Sequence, residues 1–155
     1  MTDLFAHVLL PVATEEDARS SCRALAGHLG PNSHVVAVHV VEKAGGAPDK
    51  AGVEQREAVA EAAFDAVRAG LDVPVETEIR YDTAVDDAIF DAAHDHGVSA
   101  IVITPRGGSR WIRLLTGDVA LSLVTESDLP VVVLPDRAPE TAGEDTETPG
   151  NAEDA

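Results

Sequence analysis

The sequence predicts an α/β domain in which a parallel sheet is wound on both faces by helices. Short runs of strand-type apolar residues (VLLPV, HVVAVHVV, AIVIT, LPVVVL) alternate with stretches of helical periodicity as far as Pro135. Parallel neighbours need a crossover, and right-handed βαβ units cover both faces of their sheet. The 155 residues suffice for one such domain with a substantial core. Aromatic residues make up only 3% of the chain, so that core must be built from Val, Ala, Leu and Ile.

His7–Val12 is a continuous apolar strand that starts near Leu4. Thr14-Glu15-Glu16-Asp17 has the form of a capping box, a threonine N-cap followed by acids in the first turn. The helix it opens runs to about His28, with Ala18, Cys22, Leu25, Ala26 and Leu29 on one face, and stops at Gly30-Pro31. His34–Val41 is the second strand. Lys43–Gly52, marked by Gly45-Gly46-Ala47-Pro48, is a loop. A long alanine-rich helix follows over Val53–Ala69, with Val59, Ala63, Ala66 and Val67 near one face.

Pro74–Tyr81 alternates apolar and polar residues, as a half-exposed edge strand should. Asp82-Thr83 starts a helix through Val85, Ala88, Ile89 and Ala92 to about His96, closed by Gly97. Ala100–Thr104 is a fully buried strand, Gly117 to about Glu126 a helix, and Leu129–Leu134 the last strand. From Asp136 onward apolar periodicity is lost. Residues 1–135 therefore form the domain, and 136–155 are expected to be a disordered acidic tail.

The formal net charge is -17, spread along the chain. Such a surface repels nucleic acid and anionic membranes, so neither nucleic-acid binding nor membrane insertion is expected. It suits a salt-rich cytoplasm, where screening removes most self-repulsion, as in a halophilic archaeon. The one cysteine, Cys22, excludes an intrachain disulfide and a multi-cysteine metal site. It lies on a helical apolar stripe and reads as a packed thiol. With no apolar leader and no run of membrane-spanning length, a cytoplasmic location is expected.

The chemistry concentrates in AIVITPRGGSRWIRLLTGDVA, Ala100 to Ala120. A buried strand leads into the glycine-bearing basic loop Arg106-Gly107-Gly108-Ser109-Arg110, and Thr116-Gly117-Asp118 then opens a helix. Backbone N–H groups of such a loop and the positive end of a helix dipole cradle anions. Ligands of wound sheets bind beyond the carboxyl ends of the strands, at the switch point. For strand order 3-2-1-4-5 that point is faced by Val12-Ala13-Thr14 and Arg106-Gly107-Gly108. Against phosphate stands Asp118, a carboxylate where the anion would sit.

Plainer readings exist for each residue. Gly107 and Gly108 serve as turn glycines, and Asp118 as an N-cap. Trp111, beside Ile112 and Leu115, packs on the sheet or at a subunit contact. His94 and His96 are two apart on a helix, so they face different sides, share no metal and sit near the negative end of the dipole. His7, His34 and His39 lie at no ligand spacing, and Thr14 has no base beside it. A receiver domain would need an acidic cluster after the first strand, which is absent.

HVLLPVATEEDA, HVVAVHVVEK, YDTAVDDAIFDAAHDHGVSAIVI and PRGGSRWIRLLTGDVALSLVTESDLPVVVLP together resemble a universal stress protein domain of the UspA type, from Leu4 to Pro135. The resemblance implies a five-stranded parallel sheet of order 3-2-1-4-5 with helices on both faces, Rossmann-like and similar to the adenine-nucleotide alpha-hydrolases. It also implies a homodimer across the last strand, where Val131, Val132 and Val133 would otherwise leave an unprotected edge. ATP-binding members carry Gly, two residues, Gly, nine residues, Gly, then Ser or Thr. Laid on this chain the motif falls at Thr104, Gly107, Gly117 and Asp118. Binders also carry an aspartate after the first strand's Pro-Val, where this chain has Ala13.

By this resemblance a nucleotide pocket would be lined by Pro11, Val12, Ala13, Val40, Thr104, Arg106, Gly107, Gly108, Ser109, Gly117, Asp118 and Val119. Three departures, at Ala13, Thr104 and Asp118, fall on residues that define it. The expected function is a homodimeric binding and regulatory module of the stress response, with a degenerate nucleotide site and a regulatory protein partner. No base, nucleophile or metal cluster supports turnover. The alternative is a switch or slow ATPase using the Gly107–Asp118 loop, with ATP or AMP held through Mg²⁺ bridging Asp118 and a phosphate.

Overall fold

Strands and helices alternate in the computed structural model, which describes residues 3–43, 50–104 and 118–135. The elements are β1 His7–Pro11, α1 Glu15–Leu25, β2 His34–Glu42, α2 Lys50–Gly70, β3 Val75–Asp82, α3 Val85–His96, β4 Ala100–Ile103, α4 Asp118–Thr125 and β5 Val131–Val133. All strand pairs are parallel, in the order β3-β2-β1-β4-β5, as expected. β1 pairs with β2 from His7 opposite His34 to Pro11 opposite Val38. On its other side it sets Val8 opposite Ala100 and Leu9 opposite Ile101.

Strand side chains alternate between faces, and the central strands therefore feed two cores. Val8, Leu10 and Val12 of the β1 segment join Val35, Ala37, Leu25 of α1 and Phe64 and Val67 of α2. Leu9 joins Val36, Val38, Ile101, Ile103, Ile89 of α3 and Leu123 of α4. Both faces of β1 are thus buried, which explains why the sequence there shows a continuous apolar run rather than alternation. β3, at the sheet's edge, is half-buried along most of its length, with no residue fully buried.

Several boundaries differ from the sequence expectation. β1 begins at His7 rather than near Leu4, because Asp3 holds a turn there: its C=O accepts the Ala6 N–H and its Oδ1 the Phe5 N–H. α1 ends at Leu25, and Ala26–His28 form a single 3-10 turn that leaves Ala26 exposed. α2 starts at Lys50 and absorbs Gly52, at a cost of about 1 kcal/mol relative to alanine. Its buried stripe is Ala60, Ala63, Phe64 and Val67, while Val59 points outward. α3 starts at Val85, since Asp82 ends β3 and its Oδ1 accepts the N–H groups of Thr83 and Ala84. Gly97 closes α3 as expected, in the left-handed conformation at φ 62°. The loop glycines Gly45 and Gly46, Trp111 and the tail 136–155 lie outside the described residues.

Cys22 is packed between α1 and α2, and burial pushes its thiol up to about 11, as suits an unreactive core residue. A Cβ added at Gly70 would lie 2.9 Å from Cys22 Cβ, so the glycine sets the approach of the two helices. Gly70→Ala is expected to destabilise the fold by about 1–2 kcal/mol, overpacking outweighing the gain in helix propensity. A lower urea midpoint at unchanged m would show it.

Candidate functional site

The site is built where β1 ends. Val12 continues the strand by donating its N–H to Val38 C=O at 2.9 Å. Its own C=O lies 3.0 Å from His39 Nδ1, and because a carbonyl only accepts, Nδ1 carries the proton. The Ala13 N–H donates to Asp17 Oδ2 at 2.9 Å, and the Asp17 N–H donates back to Thr14 Oγ1 at 3.1 Å. Thr14 is thereby the N-cap of α1, as its spacing to Asp17 predicts. These bonds hold the loop from both sides. They also occupy the Ala13 N–H with the protein's own buried carboxylate, so that donor is not offered to a ligand.

Counting the strand registers forward sets Ala13 level with Val40 on β2 and Val12 level with Thr104 beyond β4. Ala13 and Val40 are both partly buried against the core beneath α3 and α4. Val12 belongs to the opposite core, with Val102 two residues before Thr104. Thr104 is buried, and its Oγ1 has no hydrogen-bond partner among the described residues. Pro11, Val12, Ala13, Val40 and Thr104 are thus gathered at the ends of three adjacent strands. Asp118 is the first residue of α4 and Val119 the second. Arg106, Gly107, Gly108, Ser109 and Gly117 lie outside the described residues.

The opening turn of α3 is acidic too. Asp86 above all, then slight desolvation, Asp82, Asp91 and Glu126, raise the carboxyl of the exposed Asp87 above its ordinary range. Among the described residues no group of three His, Cys, Asp or Glu side chains is placed to hold a metal. None of their helices is long and apolar enough to cross a membrane. Val131 and Val132 of the outer strand β5 are half-buried, and Val133 is 47% exposed.

The sequence shows Asp17 as the acid of a capping box, but not that its side chain reaches past Thr14 to the Ala13 N–H. His39 carried no signal, since the carbonyl it binds is 27 positions away.

The universal stress protein family model matches residues 5–135. UspA of Lactobacillus plantarum is similar over 84% of this chain and 97% of its own, at 24% identity and a TM-score of 0.64. The universal stress protein of Archaeoglobus fulgidus in complex with dAMP covers 82% of this chain and 95% of its own, at 19% identity and a TM-score of 0.57. A universal stress protein in complex with cAMP covers 83% and 97%, at 18% identity and a TM-score of 0.54. No curated protein is a significant match. With five parallel strands in the order 3-2-1-4-5 and a family match that spans the whole described fold, the chain belongs to the universal stress protein family.

Proposed function

We propose that this protein is a homodimeric binding and regulatory module of the stress response whose adenine-nucleotide site is degenerate. The observation that carries the reading is the start of α4 at Asp118. The first N–H groups of a helix and its positive dipole end are what would hold a phosphate. A carboxylate there would repel a phosphate oxygen about 4 Å away by roughly 1–4 kcal/mol, depending on the dielectric. That amounts to about one to three decades of affinity. Ala13 in place of a ligand-facing aspartate, and the Ala13 N–H already bound by Asp17, support the same reading.

The dAMP and cAMP held by structural neighbours make an adenine nucleotide the ligand class to test. The second reading, an ATP switch or slow ATPase, requires Mg²⁺ to bridge Asp118 and a phosphate. A homodimer would cover the β5 edge, where Val133 and, on α4, the 62% exposed Val124 present apolar surface. The acidic surface suits work in concentrated salt, in the cytoplasm, with a protein partner rather than nucleic acid.

Calorimetric titration with ATP and AMP in molar KCl and Mg²⁺ tests this on the full chain beside Asp118→Ser. No binding in the wild type and micromolar binding in the variant is the expected result. Micromolar binding in the wild type that disappears without Mg²⁺ would overturn it in favour of the switch.

A further inference from the structure

At the opposite end of the sheet, histidines with no ligand spacing in sequence come together. His7 and His34 start β1 and β2 as register partners, and their rings lie 5.0 Å apart, tilted by 35°. The backbone around His7 is clamped. Its N–H donates to Ser99 Oγ at 3.0 Å, its C=O accepts the Ser99 N–H at 2.7 Å, and the His34 N–H donates to Ala6 C=O at 2.9 Å. Ser99 Oγ also contacts Leu4 C=O at 3.1 Å, tying the preceding turn to the start of β4. The ring nitrogen His7 Nε2, by contrast, is sealed and has no hydrogen-bond partner among the described residues.

The charged groups nearby offer a proton on His7 little welcome. From α3, His96 Nε2 lies 2.7 Å from Glu78 Oε1, and Glu78 Oε2 is 2.7 Å from Arg80 Nε. Arg80 also reaches Asp95 Oδ2 at 2.6 Å, so both carboxylates are engaged by other cations. Facing His7 are therefore His34 from β2, His96 from α3 and one acid, Glu76 on β3, with the uncharged Ser99 on the β4 side.

We propose that this cluster is an acid-sensitive latch: the sealed His7 Nε2 has no partner to hold a proton while the clamp is closed, so acid favours opening, which frees the start of β1 with the Leu4–Ala6 turn. Burial first, then His34, hold the His7 imidazole below its ordinary 6.5; Glu76 pulls the other way and His96 adds to the lowering. The opened state thus binds this proton more readily than the closed state does. The clamp is fully stable above pH 6.5 and weakens as pH falls from there toward the folded-state value. One such proton changes the opening equilibrium by up to about tenfold per pH unit. Opening also uncovers Phe5, which stacks on His28 at 5.1 Å and packs against the first core.

Amide hydrogen exchange on the full chain from pH 7.5 to 5, corrected for intrinsic rates, tests the latch. In the wild type the opening constants at His7, His34 and Ser99 are expected to rise up to about tenfold per unit below 6.5, while those of Leu10 and Val36 rise less. His7→Phe keeps a ring against His34 and should flatten the profile. His34→Gln removes the second-largest cause of the shift and should narrow the pH range of the loss. A flat wild-type profile, or His7→Phe behaving as the wild type does, overturns the proposal. Should His7→Phe fail to fold, an unchanged range in His34→Gln overturns it equally.

Discussion

Phe64→Ala is expected to cost about 3–5 kcal/mol of folding free energy, as the truncation of the largest fully buried side chain among the described residues. Phe64 is 1% exposed and sits where α2 meets the sheet, among Val8, Leu10, Val35, Ala37 and Val67. Few aromatics are present, and its neighbours are small and branched. Neighbours of that kind cannot swing in to refill the space. The loss is therefore the transfer energy of the ring plus the cavity left behind. Against a total stability of about 5–15 kcal/mol for a domain, this is a third or more of the reserve. Urea unfolding should show a large drop in midpoint with little change in m. Val59→Ala on the same helix is the control: at 42% exposure it should move stability by no more than about 0.5 kcal/mol.

Asp17→Ala is expected to cost about 2–3 kcal/mol, a large loss for a residue in the first turn of a helix. Its carboxylate is 3% exposed and accepts the Ala13 N–H, a charge-assisted bond whose removal strands a partly buried donor. The negative charge near the positive end of the α1 dipole is lost as well. Asp17→Asn keeps an oxygen acceptor and gives up only the charge, so its cost should be about 0.5–1 kcal/mol. Equal losses in the two variants, measured by urea unfolding, would show that the hydrogen bond to Ala13 contributes little. The comparison bears on the site, because the same bond fixes the loop at the switch point and keeps the Ala13 N–H engaged.

The two residues were unequally legible. Asp17 follows a Thr N-cap at the capping-box spacing, so its backward-facing contact is a local matter of one helical turn. Phe64 follows Ala60 and Ala63 on the buried stripe, yet the sequence pattern favoured Val59, which the structure turns outward. In an alanine-rich helix the apolar arc is wide, and periodicity alone leaves its centre uncertain by a residue or so. Pro11, Val12, Ala13, Val40 and Thr104 lie together at strand ends as the strand order predicts, because the switch-point rule follows from topology.

What the sequence determined by itself is the type and order of the elements, the parallel sheet and the family. Each follows from local periodicity, from caps such as Thr14 and Gly97, and from motifs that occupy contiguous residues. The tertiary structure alone decided which distant groups meet: His39 with Val12, His7 with His34, Ser99 with Leu4 and His7, and Arg80 with Asp95. Such contacts depend on strand register and on how helices seat on the sheet. Central strands buried on both faces are apolar throughout, so their own residues carry no alternation from which register could be read.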